Sequence, residues 1–195
     1  MSPRTVKLLL ASKSPRRRQL LAQLGFPTEY IELDTDEHIA GTMPADQVAE
    51  HLARRKAASY PTARLGGDEV LVTADTVVVH NGLVLGKPAD RNEALAMLHN
   101  LSGDRHTVYT GVCLRTAKGQ TSFTESTDVY FRQLDDADID YYVDTFRPYD
   151  KAGSYGIQEW IGMVGVSRIE GCFYNVMGLP VARLYETLRS MFPSR

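Results

Sequence analysis

The feature that most constrains the fold is a long apolar run that is followed by a tight turn signal. Residues 70–80 are rich in β-branched side chains, Asn81-Gly82 follows them, and Leu83, Val84 and Leu85 continue the apolar pattern. Asn-Gly is favoured in two-residue hairpin turns because both turn positions take a positive φ. We therefore predict an antiparallel hairpin here, which excludes a fold made only of regular βαβ units.

The rest of the chain predicts a mixed α/β fold. Further strands are expected at residues 8–11, 28–32, 106–116, 120–132 and 164–169. Helices are expected after Ser14, from Pro44 until Pro61, over 94–101 after the capping pair Asp90 and Glu93, from Asp135, and over 180–192. The segment 147–156 reads as a loop too irregular to be core. At 195 residues the chain can form one domain or two closely joined lobes.

Composition excludes several classes of protein. A hydrophobic content of 43% is ordinary for a globular protein, and a net charge of −2 gives no general attraction to nucleic acid or an anionic membrane. Cys113 and Cys172 lack disulfide or zinc spacing, so we expect two buried thiols. The N-terminal run is wrong for a signal peptide and no segment approaches membrane-spanning length, so a cytoplasmic protein is expected.

The segment 8–18 predicts an anion-binding loop between a strand and a helix. Ser14 can cap the helix and Pro15 suits its first position, so unpaired backbone N–H groups face the strand's carboxyl end. The hydroxyls of Ser12 and Ser14 and up to three arginines add donors for phosphate oxygens. The alternative is that the serines only cap the helix and the arginines form a solvated face.

Asp75 is the best catalytic candidate, because a carboxylate inside an apolar run must be neutralised, paired or bound to metal. It could instead be a strand-edge residue that bonds to backbone N–H groups. Pairing outward from Asn81-Gly82 places Lys87 opposite Thr76, close to Asp75 but not in a direct bond. Lys87 could equally be a protective charge on an edge strand.

Other charged residues are ambiguous by themselves. Asp36 and Glu37 lie in an acidic connection and could supply the oxygen ligands that Mg²⁺ or Mn²⁺ prefers, or could simply be solvated. Lys56 is part of a basic helix end, which is usually structural. The five histidines show no metal-binding spacing and are expected at the surface or in the core.

Gln158 follows a glycine-containing loop and can read the edge of a base. Its carboxamide complements the acceptor, donor and acceptor groups of uracil and thymine, although a flipped amide would also suit cytosine. A glutamine that merely stabilises a turn is the alternative.

Five segments together closely resemble the Maf family of nucleotide pyrophosphatases, in the family's order and spacing. They are residues 10–17, 74–78, 86–88, 101–103 and 178–180. Residues 150–158 are similar to the branch that acts on dTTP and UTP rather than on 7-methyl-GTP. Lys13, Arg18 and the pair Glu159-Trp160 depart from common family residues, which leaves fine specificity open.

The resemblance implies a two-lobed α/β fold over residues 1–195, with an elongated, twisted mixed sheet flanked by helices and a central cleft (Maf/ITPase-like), often in homodimers. It also implies Asp75 as proton acceptor and metal ligand, with Glu37 as a second ligand to Mg²⁺ or Mn²⁺. The implied substrate-binding residues are Ser12, Ser14, Arg16, Lys56, Thr76, Lys87 and Gln158. Arg17 and Arg18 are then expected simply to face solvent.

The expected reaction is hydrolysis of dTTP, UTP and modified pyrimidine triphosphates to a monophosphate and pyrophosphate, which keeps nucleotide pools clean. Water would attack the α-phosphorus, while Asp75 acts as base, metal ligand or both. The alternatives are a non-catalytic nucleotide-binding regulator, for example of cell division, a pyrophosphatase of 7-methyl-GTP, and a nucleic-acid-binding module. The low net charge argues against the last of these.

Overall fold

The computed structural model describes residues 6–33, 35 and 43–193. The strands in this part of the chain are β1 (Lys7–Ala11), β2 (Thr28–Ile31), β3 (Glu69–His80), β4 (Leu83–Leu85), β5 (Arg105–Thr116), β6 (Gly119–Phe131) and β7 (Val166–Glu170). The α-helices are α1 (Pro15–Ala22), α2 (Ala45–Ser59), α3 (Arg91–Leu101), α4 (Asp136–Phe146), α5 (Trp160–Gly165), α6 (Phe173–Val176) and α7 (Val181–Met191).

The strands form one mixed sheet in the order β2-β1-β3-β5-β6-β7, and β4 pairs with β3. β1 is parallel to both β2 and β3, whereas β3/β4 and β6/β7 are antiparallel. In the β3/β4 hairpin, His80 lies opposite Leu83, and Asn81 and Gly82 have φ values of 50° and 78°. The predicted hairpin and the mixed α/β class are therefore confirmed.

The chain divides into two compact units. Unit 1 contains Met1–Asp75, Thr110–Glu125 and Gly178–Arg195, and unit 2 contains Thr76–Tyr109 and Ser126–Met177. Three of the four boundaries fall inside the long strands β3, β5 and β6, and the fourth lies between α6 and α7. Each unit is consequently assembled from segments that are far apart in the sequence.

The core of unit 1 lies where α2 packs on the sheet. Ala53 and Ala57 of α2 belong to one buried cluster with Leu9 of β1, Leu71 of β3 and Cys113 of β5. The approach of α2 is close, because a Cβ added to Gly111 of β5 would lie 2.2 Å from the backbone nitrogen of Glu50. The small residues on both elements set this distance.

The core of unit 2 packs α3, α4 and α5 together. Leu98, Leu101, Ile139 and Ile161 are among its buried residues. Tyr155 and Ile157 from the segment that follows residue 150 also belong to this cluster. The prediction that 147–156 is too irregular to be core was therefore wrong, since an irregular backbone can be buried once its polar groups find partners.

Several local predictions differ from the structure. α5 and α6 were not predicted, and β7 begins at Val166 rather than at residue 164. Cys113 is buried as expected, but Cys172 is only partly buried. Most of the predicted acidic connection lies outside the described residues. None of the helices in the described ranges is long and apolar enough to cross a membrane.

Candidate functional site

The predicted anion-binding loop connects β1 to α1 in unit 1. The Ser14 hydroxyl accepts a hydrogen bond from the Arg17 N–H (3.4 Å), and Pro15 occupies the first turn. The Ser12 hydroxyl accepts from the Ser14 N–H (3.2 Å), and Ser12 is buried. Both serines thus shape the loop, and the N-terminus of α1 keeps the dipole orientation that favours anions.

Arg17 and Arg18 do not simply face solvent, so that prediction was wrong. Nε of Arg17 donates to the Gly178 carbonyl (2.8 Å) and Nε of Arg18 donates to the Ser12 carbonyl (3.0 Å). The Arg18 guanidinium also lies 5.4 Å from the centre of the Tyr30 ring. Both side chains are half-buried and stabilise the loop through these contacts. Of the three arginines, Arg16 remains the substrate-binding candidate.

Asp75 lies in β3 and pairs with Lys56 of α2. Nζ of Lys56 donates to Oδ1 of Asp75, and the two side chains are only 13% and 14% exposed. Thr73 precedes Asp75 by two residues on the same face of β3, and its hydroxyl donates to the Ala53 carbonyl of α2 (2.6 Å). Since Lys56 follows Ala53 by about one helical turn, this bond brings the lysine over the carboxylate.

The last turn of α2 has a second anchor in Arg115 of β5. Nη1 of Arg115 donates to the carbonyls of Ala57 (2.6 Å) and Tyr60 (3.1 Å), and Nη2 donates to the Thr62 hydroxyl. The Ala57 carbonyl also accepts from the Tyr60 N–H (3.3 Å), so Arg115 adds a second donor at the helix end. The turn that carries Lys56 is therefore fixed from both sides.

Strand register brings the loop and the ion pair together. β1 and β3 are parallel with Ala11 opposite Thr73, so the chain leaves the sheet at Ser12 beside the stretch of β3 that continues to Asp75. Unit 1 therefore combines Ser12, Ser14, Lys56 and Asp75 at the carboxyl end of β1. Of the states that the sequence left open for Asp75, the structure shows an ion pair, and its partner is Lys56.

The other predicted site residues belong to unit 2. Thr76 follows Asp75 on the opposite face of β3, and Lys87 is exposed beyond the end of β4. The Gly153 N–H donates to the Gly86 carbonyl (3.0 Å), which connects the Lys87 segment to the loop that leads to Gln158. A backbone hydrogen bond within unit 2 thus joins the segment that contains Lys87 to the segment that leads to Gln158.

A polar network encloses the turn that carries Gln158. The Glu159 N–H donates to the Gly156 carbonyl (2.9 Å) and closes a four-residue turn. The buried Tyr142 hydroxyl of α4 accepts from the Gly156 N–H (3.0 Å) and donates to Oε2 of Glu159. Oε1 of Glu159 pairs with Nζ of the buried Lys151 (3.1 Å).

None of Tyr142, Lys151 and Glu159 was a predicted site residue. The available signal was the departure from common family residues at Glu159. Their partners are separated by 8 to 17 residues, so local patterns could not pair them.

Gln158 has one polar atom that is enclosed by the protein. Its Oε1 is buried, and no group in the described residues donates to it. The residue also lines a pocket of about 530 Å³ together with Gly162, Met163, Arg168 and Phe173, among others. Oε1 can accept a hydrogen bond from a ligand N–H only after the side chain rotates toward the pocket.

The predicted metal site is only partly described. Glu37 lies outside the described residues. Asp75 offers the carboxylate oxygens that Mg²⁺ and Mn²⁺ prefer. Over the described ranges there is no group of three or more His, Cys, Asp and Glu side chains that could hold a metal ion.

The buried histidines of unit 2 have structural partners. Nε2 of His106 lies 2.6 Å from the Tyr155 hydroxyl, and His80 pairs with Asp104 (2.9 Å). Burial above all lowers the pKa of His106 to about 4. The expectation that histidines occupy the core or surface is confirmed for these two, and His106 also holds the segment that leads to Gln158.

These features define a protein with a predicted anion-binding loop and a carboxylate–lysine pair on a mixed sheet. Comparison of sequences gives the family: the chain belongs to the Maf family, since the family model described as Maf-like protein matches residues 7–191.

Named relatives span nearly the whole chain. A protein from Bacteroides fragilis (strain ATCC 25285) named dTTP/UTP pyrophosphatase is 49% identical over 95% of this chain and 96% of its own length. Proteins of the same name from Parabacteroides distasonis and Christiangramia forsetii are 49% and 39% identical, covering 94% and 96% of this chain and 95% of each relative.

Among solved structures, a nucleoside-triphosphatase / dITP/XTP pyrophosphatase from Mycobacterium abscessus aligns over 96% of this chain and 98% of its own. The identity is 15% and the TM-score is 0.40. This similarity is too weak to support an assignment of fold or function.

Proposed function

We propose that this protein hydrolyses dTTP and UTP to the nucleoside monophosphate and pyrophosphate. The observation that carries the proposal is the Asp75–Lys56 pair beside the Ser12–Ser14 loop, which joins a carboxylate, a cation and a helix N-terminus. The names of the relatives support the substrate class. Removal of modified pyrimidine triphosphates from the nucleotide pool in the cytoplasm is the proposed cellular role.

In the proposed reaction, a water oxygen bonds to the α-phosphorus while the bond from that phosphorus to the bridging oxygen breaks. Asp75 accepts the water proton, and pyrophosphate leaves with the bridging oxygen and its electron pair. Lys56 orients the Asp75 carboxylate, and Arg16 and Lys87 offset the negative charge of the phosphates. Such charge stabilisation is usually the largest contribution to phosphoryl transfer.

A divalent cation, Mg²⁺ or Mn²⁺, belongs to this proposal, with Asp75 and Glu37 as its ligands. When bound, it supplies positive charge to the phosphate oxygens. Ser12, Ser14 and Thr76 are proposed to donate hydrogen bonds to the substrate. A homodimer is also proposed, and the mass measured by light scattering in solution tests it.

Base recognition is assigned to Gln158. After rotation of the side chain toward the pocket, Oε1 would accept the N3–H of uracil or thymine, and the amide group would donate to a neighbouring carbonyl of the base. Cytosine carries an acceptor at this ring nitrogen, so a carboxamide held in this orientation finds no donor there, and only a flipped amide would complement cytosine. The proposed preference for uracil and thymine rests on this difference.

Pyrophosphate release from a panel of triphosphates tests the activity. Metal-loaded protein should cleave dTTP and UTP faster than CTP, GTP and 7-methyl-GTP. Cleavage of none of them would leave the protein as a nucleotide-binding regulator. A preference for 7-methyl-GTP would overturn only the assignment to the pyrimidine branch.

The role of Asp75 is tested with Asp75→Asn, which should lower kcat by about 10²- to 10⁴-fold, the usual contribution of a general base. Asp68→Asn is the matched control, because Asp68 is exposed just before β3. Mn²⁺ affinity separates the two roles. Unchanged affinity in an inactive Asp75→Asn variant counts against a ligand role, and full activity in that variant removes Asp75 from the site.

A further inference from the structure

The turn that carries Gln158 is fastened at both ends by one hydroxyl group. The Tyr142 hydroxyl accepts the Gly156 N–H and donates to the Glu159 carboxylate, so its two partners are the first and last residues of the turn. Ile157 belongs to the buried core of unit 2, whereas Gln158 and Glu159 are partly exposed, and the Glu159 carboxylate is already engaged by Tyr142. The position of the Gln158 carboxamide therefore depends on the Tyr142 hydroxyl.

Burial makes this arrangement rigid. Tyr142 is completely buried, and burial, followed by the hydrogen bond to Glu159, raises the pKa of its hydroxyl above the ordinary value. The hydroxyl consequently stays protonated and remains a donor to Glu159. Rotation of the phenol ring is restricted further by Phe146, which stacks on it at 5.1 Å.

Lys151 completes the network from the other side of Glu159. Its side chain is 8% exposed and its Nζ lies 3.1 Å from Oε1 of Glu159 and 2.7 Å from Oδ1 of Asp150. A buried ammonium group without its carboxylate partner is costly, so Glu159 is held between a fixed hydroxyl and a fixed cation. Both oxygens of Glu159 are thereby used within the protein.

We propose that Tyr142 and Glu159 are positioning residues for Gln158, and that they determine how strongly the enzyme prefers uracil and thymine over cytosine. This inference rests on the proposed function, in which Gln158 contacts the base. Paired hydrogen bonds to a base edge tolerate little displacement, and a misplacement of about 1 Å can cost up to about 100-fold in rate. The network acts through Gln158 and does not touch the reacting phosphorus.

The test compares Tyr142→Phe with Tyr141→Phe. Both variants lose a phenol hydroxyl from α4, but Tyr141 is half exposed. The kcat/KM values for UTP and CTP are measured for each protein, with the thermal midpoint as a check of folding. Tyr142→Phe should lower the ratio of UTP to CTP by about tenfold, mainly through a higher KM for UTP. Tyr141→Phe should keep the ratio of the unsubstituted protein.

Three further variants keep the inference open to refutation: Glu159→Gln, Gln158→Ala, and Gln158→Ala combined with Tyr142→Phe. Glu159→Gln retains size and a hydrogen-bond acceptor for Tyr142 but loses the charge opposite Lys151, so its ratio should fall less than that of Tyr142→Phe. If Tyr142→Phe does not fold, the UTP-to-CTP ratio of Glu159→Gln tests the positioning role instead. Adding Gln158→Ala to Tyr142→Phe should cost no more selectivity than Gln158→Ala alone, because both act through one carboxamide.

The outcomes separate the inference from the proposed function. If Gln158→Ala lowers the ratio but a folded Tyr142→Phe protein and Glu159→Gln do not, the positioning role is wrong and the role of Gln158 stands. If Gln158→Ala leaves the ratio unchanged, base recognition by Gln158 is wrong and the positioning role fails with it. If the unsubstituted protein cleaves neither nucleotide, the proposed activity itself is wrong.

Discussion

At the scale of single residues, His106 shows how burial can be the main determinant of a side chain's charge. Its ring is packed against Phe131 and Tyr155, with ring centres 5.4 and 5.2 Å away. Desolvation is the main cause that lowers its pKa from 6.5 to about 4, and nearby His80 lowers it further. The imidazole is therefore neutral at neutral pH.

This neutrality predicts a specific loss of stability in acid. Between pH 6.5 and pH 4 the unfolded chain binds a proton at His106 and the folded protein does not, so the free energy of unfolding falls as the pH falls. Between pH 7 and pH 5 the expected loss is about 2 kcal/mol. It is measured as the difference between urea-unfolding free energies at the two pH values.

His106→Gln should remove most of this pH dependence, because glutamine does not titrate and its carboxamide can still form a hydrogen bond with the Tyr155 hydroxyl. His51→Gln is the control, since His51 is exposed on α2. A His106→Gln variant that loses as much stability in acid as the unsubstituted protein would show that other groups cause the loss.

At the scale of elements, the placement of α2 on the sheet decides where Lys56 lies. The helix is held by the Thr73 hydroxyl, by Arg115 and by its close contact with Gly111. All three contacts come from strands in unit 1. Displacement of α2 would therefore move Lys56 away from Asp75 without a change in either residue.

Gly111→Ala tests this dependence. The added methyl carbon would overlap backbone atoms of Ala49 and Glu50 in α2, so the helix or the strand must shift. We expect a loss of about 3 kcal/mol in the free energy of unfolding, typical of a badly overpacked core, and a lower kcat in the protein that remains folded. Gly67→Ala is the control, because an added Cβ there meets no atom within 4 Å. Equal stability of the two variants would contradict the close contact.

Elements with a local signal were predictable from the sequence. The Asn81-Gly82 hairpin, the Ser14 cap with Pro15, and the Asp90 cap of α3 each depend on residues within a few positions of one another. Lys56 was named as a site candidate, but it is 19 residues away from Asp75 in the sequence, and their contact requires the pairing of β1 with β3 and the packing of α2 on the sheet. The sequence alone does not indicate that these two residues are in contact.

The prediction that the segment after residue 150 is not part of the core was wrong for a different physical reason. Its glycines and polar residues are typical of a surface loop, yet Lys151, Ser154 and Tyr155 are buried. The burial is possible because Glu159 neutralises Lys151 and the Tyr142 hydroxyl takes the Gly156 N–H. Partners of this kind are supplied by the tertiary fold, so no window of sequence reveals them.

At the scale of the whole molecule, each unit is built from segments that are distant in the sequence. α7 contributes the buried residues Leu184 and Leu188 to unit 1, and Arg17 near the other end of the chain bonds to Gly178. The family assignment, which covers residues 7–191, therefore includes every segment that builds the two units in the described structure.

The two cysteines lie in different units and differ in environment, so their labelling by a thiol reagent can report on each unit separately. Burial raises the pKa of the Cys113 thiol in unit 1 to about 11, whereas Cys172 in unit 2 is partly exposed. Because the thiolate is the reacting form, a maleimide dye at pH 7 should label the native chain once, at Cys172, and the urea-unfolded chain twice. Peptide mass spectrometry identifies the labelled residue, and rapid labelling of Cys113 in the native protein would contradict its burial. A fluorophore at Cys172 would then report on unit 2, while the appearance of the second label would time the opening of unit 1.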